Sequence, residues 1–340
     1  MIGRERPLPD TIPPFGILDE VDEGGIKLAA IRAALELGVF PTIATGVNDA
    51  DGMARATGCA PEGMRVLLEA LGSFGLLRRS GDRYEPTPTA AAYLIPGSPT
   101  YVADYYLSEM RARDHFTDSV RLGRPVRDVR APDGARLWVA IALWNLVDWP
   151  TSLPLIRSRW AGLGITPASL PGVRVLDVGC GSGIKSLVLA ADDPSASVTG
   201  IDSGPVIAVA DRLATAMGLS NQATFVPGDA TTLNELDRPF DVILFGAVLH
   251  YFDPPEIASI LGEARRLLRP TGRLVIVAPL LTPGEYEDPE PFLTAVWMLN
   301  VAPRGRVYGV DDYAAMLAAA GFDAPTPLEG ASWLLARPLA

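Results

Sequence analysis

Three acidic residues stand at the ends of short β-branched runs, where a parallel sheet would gather them at one edge. Asp177 precedes a glycine-rich segment at residues 179–183, and Asp202 lies 19 positions after Gly183. Asp229 ends a third run of the same kind. Glycines let the backbone approach a ligand closely, and a carboxylate at this distance accepts hydrogen bonds from ribose hydroxyls. The spacing predicts a nucleoside site, with Asp229 placed to recognise an adenine amino group.

The glycine-rich segment differs from the motif that binds a dinucleotide pyrophosphate. That motif, G-x-G-x-x-G, would have a glycine where this sequence has Ser186. Asp177 would also repel a pyrophosphate, since like charges repel. The same carboxylate suits a ligand that carries an ammonium and a sulfonium group. The sequence therefore favours a nucleoside joined to a cationic amino acid.

One histidine, His250, lies shortly after the fourth predicted strand, residues 242–245. A histidine titrates near neutral pH and can accept the proton of a phenol or hydroxyl. The alternative is that His250 only packs at the end of the strand. The chain has two histidines and two cysteines, so a His-rich metal site is impossible and no ligand spacing indicates a metal.

The elements that must position these residues alternate between strand and helix in the C-terminal half. Strands are predicted at residues 174–178, 197–201, 223–226, 242–245 and 274–277, and helices at residues 184–191, 206–217, 256–268 and 311–320. Alternation at this spacing is typical of a parallel, doubly wound sheet.

The N-terminal half has a different pattern. It predicts helices over residues 25–37 and 53–57, a helix that begins at Pro61, and strands at residues 76–79 and 83–86. Helix, turn, helix and hairpin is the winged-helix plan. Residues 101–160 read as mostly helical and rich in aromatics, with a loop at 123–134, and residues 167–172 read as a linker.

The composition limits the classes of function. The 340 residues include 29 basic and 40 acidic side chains, a net charge of −11, which argues against nucleic-acid or anionic-membrane binding. Two cysteines cannot build a disulfide framework, and the longest apolar stretch, residues 137–147, is too short to span a bilayer. The N-terminus lacks the apolar core of a signal peptide. We therefore expect a cytoplasmic protein.

Residues 170–280, with the glycine segment and its three acids, resemble the class I S-adenosylmethionine (SAM)-dependent methyltransferases. More of the chain resembles the two-domain small-molecule O-methyltransferases with an N-terminal winged-helix dimerisation domain, through residues 54–58, 67–71 and 84–88. The resemblance implies an α/β Rossmann-like domain with a mostly parallel seven-stranded sheet. It also implies a winged-helix dimerisation domain at 1–100, a helical connector lining the substrate pocket at 101–168, a SAM-binding catalytic domain at 169–340, and a homodimer.

The resemblance also assigns roles to individual residues. The cofactor would contact Asp177, Gly179, Gly181, Gly183, Asp202, Ser203, Asp229, Ala230, Phe245 and Gly246. The acceptor would contact Trp144, Asn145, Trp149, Trp297, Met298, Asn300 and Tyr308. His250 would be the base, although Val307 stands in or beside the position of the acidic residue that orients this histidine in plant-type members.

The function implied is methyl transfer from SAM, with S-adenosylhomocysteine as product, to an oxygen of a small aromatic or polyketide-like acceptor. One alternative is a C-methyltransferase acting on an enolisable molecule such as a 2-oxo acid. Another is a SAM-binding relative with non-methylating chemistry. A winged-helix transcription factor is disfavoured, because the second helix offers only Arg65 against Glu62 and Glu69 for contacts to DNA.

Overall fold

A computed structural model describes residues 16–126, 135–147, 149–237, 239–282, 284–328 and 332–339. The chain divides into two compact units, Met1–Met110 and Arg111–Ala340. The segment predicted as a linker, residues 167–172, lies inside the second unit. Of the loop predicted at residues 123–134, positions 127–134 lie outside the described residues.

The first unit is mainly helical, with one small hairpin. Its elements are α1 (Ile17–Glu36), α2 (Val39–Ala44), α3 (Ala50–Thr57), α4 (Pro61–Ser73), β1 (Leu77–Ser80), β2 (Arg83–Pro86), α5 (Pro88–Tyr93) and most of α6 (Ala103–Arg113). The strands β1 and β2 pair antiparallel. Helices α3 and α4 followed by this hairpin reproduce the predicted order of elements.

The boundaries of α3 and α4 follow from local chemistry. The Asp49 side chain accepts a hydrogen bond from the Gly52 N–H at 2.7 Å, which caps the start of α3. Gly58 ends that helix with φ of 71°, a left-handed conformation that glycine adopts without a steric penalty. Pro61 opens α4 at the first helical position, where no N–H is needed.

The prediction for α1 was wrong at its start. The helix begins at Ile17, eight residues before the predicted Gly25, and passes through Gly24 and Gly25. Two acids in its first turn, Asp19 and Glu20, favour this earlier start because they complement the partial positive charge of a helix N-terminus. The short helices α2 and α5 were not predicted.

The second unit contains the remaining elements. They are α7 (Phe116–Leu122), α8 (Ala135–Val147), α9 (Trp149–Gly162), β3 (Arg174–Val178), α10 (Ile184–Asp192), β4 (Ser197–Asp202), α11 (Gly204–Ala216), β5 (Ala223–Pro227), β6 (Phe240–Gly246), α12 (Pro254–Leu267), β7 (Leu268–Val277), α13 (Glu290–Val301), α14 (Val310–Ala319), β8 (Thr326–Pro327) and β9 (Trp333–Ala336). Short 3₁₀ helices cover Ala230–Glu235 and Leu249–Tyr251.

The seven strands form one sheet in the order β5-β4-β3-β6-β7-β9-β8. The first five are parallel, and β9 and β8 are antiparallel to their neighbours. The predicted mostly parallel, seven-stranded, doubly wound sheet is therefore confirmed. The strand order reverses between β3 and β6, and such a switch point opens a crevice at the carboxyl edge of the sheet.

Hydrophobic residues cover both faces of the central strands. In β3, Leu176 and Val178 belong to one core cluster, and Val175 belongs to the cluster on the opposite face. Burial on both faces explains why these strands read as continuous apolar runs in the sequence. The sheet therefore gives a rigid base for the loops at its carboxyl edge.

The predicted start of β7 was also wrong. The strand runs over Leu268–Val277 and begins six residues earlier than predicted. Pro270 and Gly272, which were expected to stand between helix and strand, lie within the strand. An irregular register between Phe240 and Val242 of β6 accompanies this segment. A Cβ atom at Gly272 would lie 2.6 Å from Leu268 Cγ, so the close packing requires glycine there.

Within the described residues, no single helix has the length and apolar character to cross a membrane. The segments Leu137–Leu146 and Trp149–Gly162 reach that length and composition only as a pair, and they are bent by 84°.

Candidate active site

A cavity of about 570 Å³ lies within the second unit, at the carboxyl edge of the sheet. Its wall combines the loops after the parallel strands with one face of α8. The lining residues are Trp138, Ile141, Ala142, Asn145, Gly179, Cys180, Gly181, Ser182, Ile184, Lys185, Asp202, Ser203, Val206, Gly228, Asp229, Ala230, Thr231, Gly246, Ala247, Val248, Tyr251 and Phe252.

The glycine-rich loop after β3 forms the floor of this cavity. Gly179, Gly181 and Gly183 have φ values of 65°, 58° and 75°, all in the left-handed region. A Cβ atom at Gly179 would lie 2.7 Å from Val248 Cγ2, and one at Gly183 would lie 3.2 Å from the Phe225 ring. The loop thus needs glycine both for its backbone conformation and for space.

Asp202 fastens this loop to the end of β4. Its Oδ2 accepts a hydrogen bond from the Gly181 N–H at 2.9 Å, and its Oδ1 accepts one from the Ser203 N–H at 2.7 Å. Burial raises the pKa of Asp202, although the two backbone N–H groups oppose that shift. A carboxylate has about four acceptor sites, so it keeps lone pairs for a ligand in the cavity.

Asp177 lies behind the loop and not on the described wall. It is 2% exposed, and its Oδ2 accepts a hydrogen bond from Ser186 Oγ at 2.6 Å. Burial raises its pKa to about 7, against the opposing effects of the Ser186 hydrogen bond and the Lys185 charge. Asp177 therefore acts on the cavity through its charge, from behind the loop.

Asp229 lies on the cavity wall beside Ala230, at the start of a 3₁₀ helix. Its Oδ1 accepts hydrogen bonds from Thr231 N and Thr231 Oγ1 at 2.6 and 2.5 Å. These bonds cap the helix and fix the carboxylate after β5. One side chain thus combines the capping role with a position facing the cavity.

The other end of the cavity is apolar and aromatic. Trp138, Ile141, Ala142 and Asn145 lie three or four residues apart on α8, which places them on one helix face. The ring of Tyr251 meets the Trp138 ring edge-on, with centroids 4.7 Å apart. The sequence held a signal for this wall, because these positions follow helical periodicity.

His250 lies one layer behind that wall, in the 3₁₀ helix Leu249–Tyr251. Its imidazole is 4% exposed, and its ring centroid lies 4.6 Å from that of Tyr251. Burial lowers its pKa to about 4, so the ring is neutral at neutral pH. Its Nδ1 has no hydrogen-bond partner among the described residues. An imidazole without a partner is free to accept a proton, but nothing described orients it.

The predicted acceptor residues do not lie together: they are found on the cavity wall, behind it, on the surface and in the core. Asn145 lies on the cavity wall, where its Nδ2 donates to Ile141 O at 3.0 Å. Trp297 lies behind the wall, edge-on to Tyr251 with centroids 5.9 Å apart. Trp144 is 61% exposed, and Trp149 is half-buried against the core.

The other three predicted acceptor residues lie in the core. Tyr308 donates a hydrogen bond from its hydroxyl to Phe252 O at 2.9 Å. Asn300 Oδ1 accepts one from Ser119 Oγ at 3.5 Å, and Met298 is fully buried in the core. None of the three lies on the described cavity wall, so any effect on an acceptor must pass through residues such as Phe252.

The predicted cofactor residues are gathered more closely. The cavity wall includes Gly179, Gly181, Asp202, Ser203, Asp229, Ala230 and Gly246. Gly183 and Phe245 lie behind it with Asp177. The sequence prediction missed Lys185, which lies on the wall two residues after Gly183. In the described part of the chain no group of three or more potential metal ligands occurs.

A doubly wound sheet with a glycine loop and acids at its carboxyl edge defines an α/β enzyme that binds a nucleoside-containing cofactor. The chain matches the family model of a methyltransferase domain over residues 175–272 and that of the O-methyltransferase dimerisation domain over residues 22–96. It belongs to the SAM-dependent methyltransferases that carry this dimerisation domain.

Named relatives extend over most of the chain. It is 28% identical to 3-hydroxy-5-methyl-1-naphthoate 3-O-methyltransferase of Streptomyces sahachiroi, covering 90% of this chain and 88% of that protein. It is 29% identical to acetylserotonin O-methyltransferase of Mus musculus, covering 91% and 84%. Its fold resembles human N-acetylserotonin methyltransferase in complex with SAM, with a TM-score of 0.69, 22% identity and coverage of 98% and 100%.

The residues on the cavity wall fit SAM chemically. The glycine loop packs so closely that a Cβ atom at Gly179 would lie 2.7 Å from Val248 Cγ2, and two carboxylates on the wall, Asp202 and Asp229, follow the strands where ribose and adenine would bind. The wall also has one cationic side chain, Lys185. The cofactor has hydroxyls, an adenine, an ammonium and a carboxylate, so each kind of group has a complementary residue.

Proposed function

We propose that the protein transfers the methyl group of SAM to a hydroxyl oxygen of a small aromatic or polyketide-like metabolite. The observation that carries this proposal is a single cavity with acids and glycines at one end and the aromatic pair Trp138 and Tyr251 at the other. The relatives named as naphthoate and acetylserotonin O-methyltransferases support an aromatic acceptor. They favour oxygen over carbon as the methylated atom.

The chain's residues divide the task between binding and alignment. Asp202 and Asp229 hold the adenosine part, with Ser203 and Ala230 beside them, and Asp177 compensates the ammonium from behind the loop. When bound, the cofactor supplies an activated methyl group. The α8 face with Tyr251 holds the flat acceptor, and such alignment can supply most of the barrier reduction.

His250 is the proposed proton acceptor. It is neutral at neutral pH because burial lowers its pKa to about 4, so it needs no deprotonation before it acts. A base with such a low pKa accepts protons weakly, and it lies behind Tyr251 and not on the wall. We therefore propose that alignment supplies most of the acceleration and that His250 adds a smaller contribution.

The test is a product assay with purified protein, SAM and a panel of hydroxynaphthoates and hydroxyindoles. We expect release of S-adenosylhomocysteine together with an O-methylated product, identified by mass spectrometry and NMR. Asp202→Ala protein is the matched control and should release little of either. Methylation at carbon, or binding of SAM without any methylated product across the panel, would contradict the proposal.

We also propose that the protein is a homodimer formed through its N-terminal part, with residues 1–100 as a winged-helix dimerisation domain. The match to the dimerisation-domain family supports this. So do the exposed apolar side chains of α1, among them Ile17, Leu18 and Val21. Light scattering should give twice the mass of the chain, and Leu18→Glu with Val21→Glu should shift the protein to monomer.

A further inference from the structure

Lys185 is the second residue of α10 and one of only two lysines in the chain. It lies on the wall of the cavity, whose described lining has two acids, Asp202 and Asp229, and no other lysine, arginine or histidine. The positive charge of the wall is therefore concentrated in one side chain.

This side chain has no hydrogen-bond or ion-pair partner among the described residues. Asp177 acts on it through its charge, but the Asp177 Oδ2 accepts a hydrogen bond from Ser186 Oγ. The residue is half-buried and lies on the cavity wall, so the side chain is shielded from bulk water but borders the cavity. Its ammonium group is thus available to a ligand.

The position is unfavourable for a cation unless an anion accompanies it. The first turn of a helix carries a partial positive charge, which repels an ammonium. Removing a charged group from water without a partner also costs free energy. Burial lowers the pKa of Lys185, and the charge of Asp177 only partly opposes this. An anion in the cavity would remove both penalties.

Gly246 keeps the space beside this side chain open. A Cβ atom at Gly246, the last residue of β6, would lie 3.3 Å from Lys185 Cδ and 3.7 Å from its Nζ. A larger residue there would crowd the end of the lysine. The backbone of Lys185 is fixed as well, because Trp160 Nε1 donates to its carbonyl oxygen at 2.7 Å.

We propose that Lys185 binds a carboxylate inside the cavity, and that this carboxylate is the one on the amino-acid part of the cofactor. The inference rests on the assignment of SAM as cofactor. Lys185 follows the glycine loop by two residues and lies on the cavity wall, and Asp177 precedes the loop and lies behind it, so a cation and an acid flank the loop that would hold a zwitterionic amino acid. A carboxylate on an aromatic acceptor is the second source of the same chemistry.

Calorimetry of Lys185→Gln with two ligands tests whether the bound carboxylate is that of the cofactor. S-Adenosylhomocysteine has the amino-acid carboxylate, whereas methylthioadenosine keeps the adenosine and the thioether but lacks that part. We expect the variant to bind S-adenosylhomocysteine roughly 10- to 100-fold more weakly, the usual range for losing a hydrogen bond to a charged group. Its affinity for methylthioadenosine should stay within about twofold of the parent's, since charge-assisted contacts act locally.

Two further variants make the result specific. Lys185→Arg keeps the charge and should retain much of the affinity, even if Lys185→Gln were poorly folded. Lys27→Gln removes the other lysine, which is exposed on α1 and paired with Glu23, and should change neither affinity. Unfolding temperatures of all variants report whether the fold is intact.

Whether Lys185 instead binds a carboxylate of the acceptor is tested on protein saturated with S-adenosylhomocysteine. If the Lys185→Gln variant binds that ligand normally but no longer prefers a hydroxynaphthoate over the corresponding naphthol, the carboxylate belongs to the acceptor. If Lys185→Gln binds S-adenosylhomocysteine as tightly as the parent and still prefers the hydroxynaphthoate over the naphthol, the inference is wrong. Failure of the parent protein to bind S-adenosylhomocysteine at all would instead contradict the cofactor assignment.

Discussion

The carboxylate of Asp202 accepts a hydrogen bond from the backbone N–H of Gly181 at 2.9 Å, and this bond ties the end of β4 to the loop after β3. The residue proposed to hold ribose therefore also shapes the loop proposed to hold the amino-acid part. Two halves of one ligand are positioned by a single side chain. The first prediction follows from this double role.

Asp202→Ala should weaken binding of S-adenosylhomocysteine by at least tenfold, because it removes ribose contacts and the anchor of Gly181 together. Asp202→Asn keeps an acceptor oxygen and should lose less. Isothermal calorimetry measures both, with Asp118→Ala, an exposed acid on α7, as a control. Unchanged affinity in Asp202→Ala would remove Asp202 from the cofactor site.

His250→Ala should lower kcat, while the affinity for S-adenosylhomocysteine stays within about threefold. General bases contribute roughly 10²- to 10⁴-fold, and the weak basicity of this buried ring places the expected loss near the lower end. His115→Ala removes the other histidine, which lies just before α7, and should leave kcat unchanged. Equal kcat in parent and His250→Ala would leave alignment alone as the mechanism.

The pH profile should lack an ordinary histidine titration. Because burial lowers the pKa of His250 to about 4, the ring stays neutral as the pH falls from 8 to 6. With both substrates saturating, kcat of the parent should be nearly constant over that range. A fall centred near pH 6.5 that disappears in His250→Gln would show that the ring is more exposed to water than the structure has it.

Asp177 should make the protein less stable as the pH rises from about 4 to about 7. Burial raises its pKa in the folded state to about 7, above the value of the unfolded chain, so the folded state holds the proton more tightly in that range. Ionisation at higher pH therefore lowers the free energy of unfolding, by roughly a few kcal/mol at most.

Urea unfolding of the parent and of Asp177→Asn at pH 5 and pH 8 measures this effect. The variant cannot ionise, so its stability relative to the parent should be higher at pH 8 than at pH 5. Taking the difference in stability between the two proteins cancels the pH dependence that the other carboxylates contribute to both. The same relative stability at both pH values would show that Asp177 is not buried as a neutral acid.

Gly179→Ala should impair cofactor binding more than backbone strain alone would. Its φ of 65° strains any other residue, and the new Cβ atom would lie 2.7 Å from Val248 Cγ2. Gly81→Ala is a matched control, since Gly81 has φ of 63° and nothing within 4 Å of its Cβ position. Through the backbone conformation, each change should lower the free energy of unfolding by on the order of 1 kcal/mol. Gly179→Ala should also weaken the binding of S-adenosylhomocysteine.

The double variant Gly179→Ala with Val248→Ala separates the two effects on Gly179. Removing the Val248 methyl groups should recover part of the affinity for S-adenosylhomocysteine but none of the backbone cost. If Gly179→Ala and Gly81→Ala behave alike in both unfolding and binding, close packing at the loop has no part in the cofactor site.

The parallel sheet and its acids could be predicted because the central strands β3 and β6 are buried on both faces, and because an acid lies at or close to the ends of β3, β4 and β5. Val175 and Leu176 enter opposite clusters, and that burial is what produces the continuous apolar run before Asp177. The loop glycines could be predicted for a similar reason, since their left-handed backbone favours one residue type.

The acceptor end was harder to predict, because its residues act through tertiary packing. Tyr308 and Met298 have the size and polarity of pocket residues but are buried in the core. Trp138 belongs to the segment 101–160 that was predicted only as helical and rich in aromatics, and its place on the wall depends on how α8 packs against α11. Lys185 gave no signal because a lone lysine after a glycine motif is usually solvated.

The division of the cavity between sheet and helix has a consequence for how such enzymes diversify. The adenosine end depends on loops at the carboxyl edge of the sheet, whose central strands are buried on both faces, so that most substitutions in those strands disturb the core. The opposite end depends on Tyr251 and on one face of α8, whose four positions, Trp138, Ile141, Ala142 and Asn145, belong to a helix and not to the sheet. New acceptor preferences can therefore arise by substitution on a single helix, while the machinery that activates the methyl group is inherited unchanged.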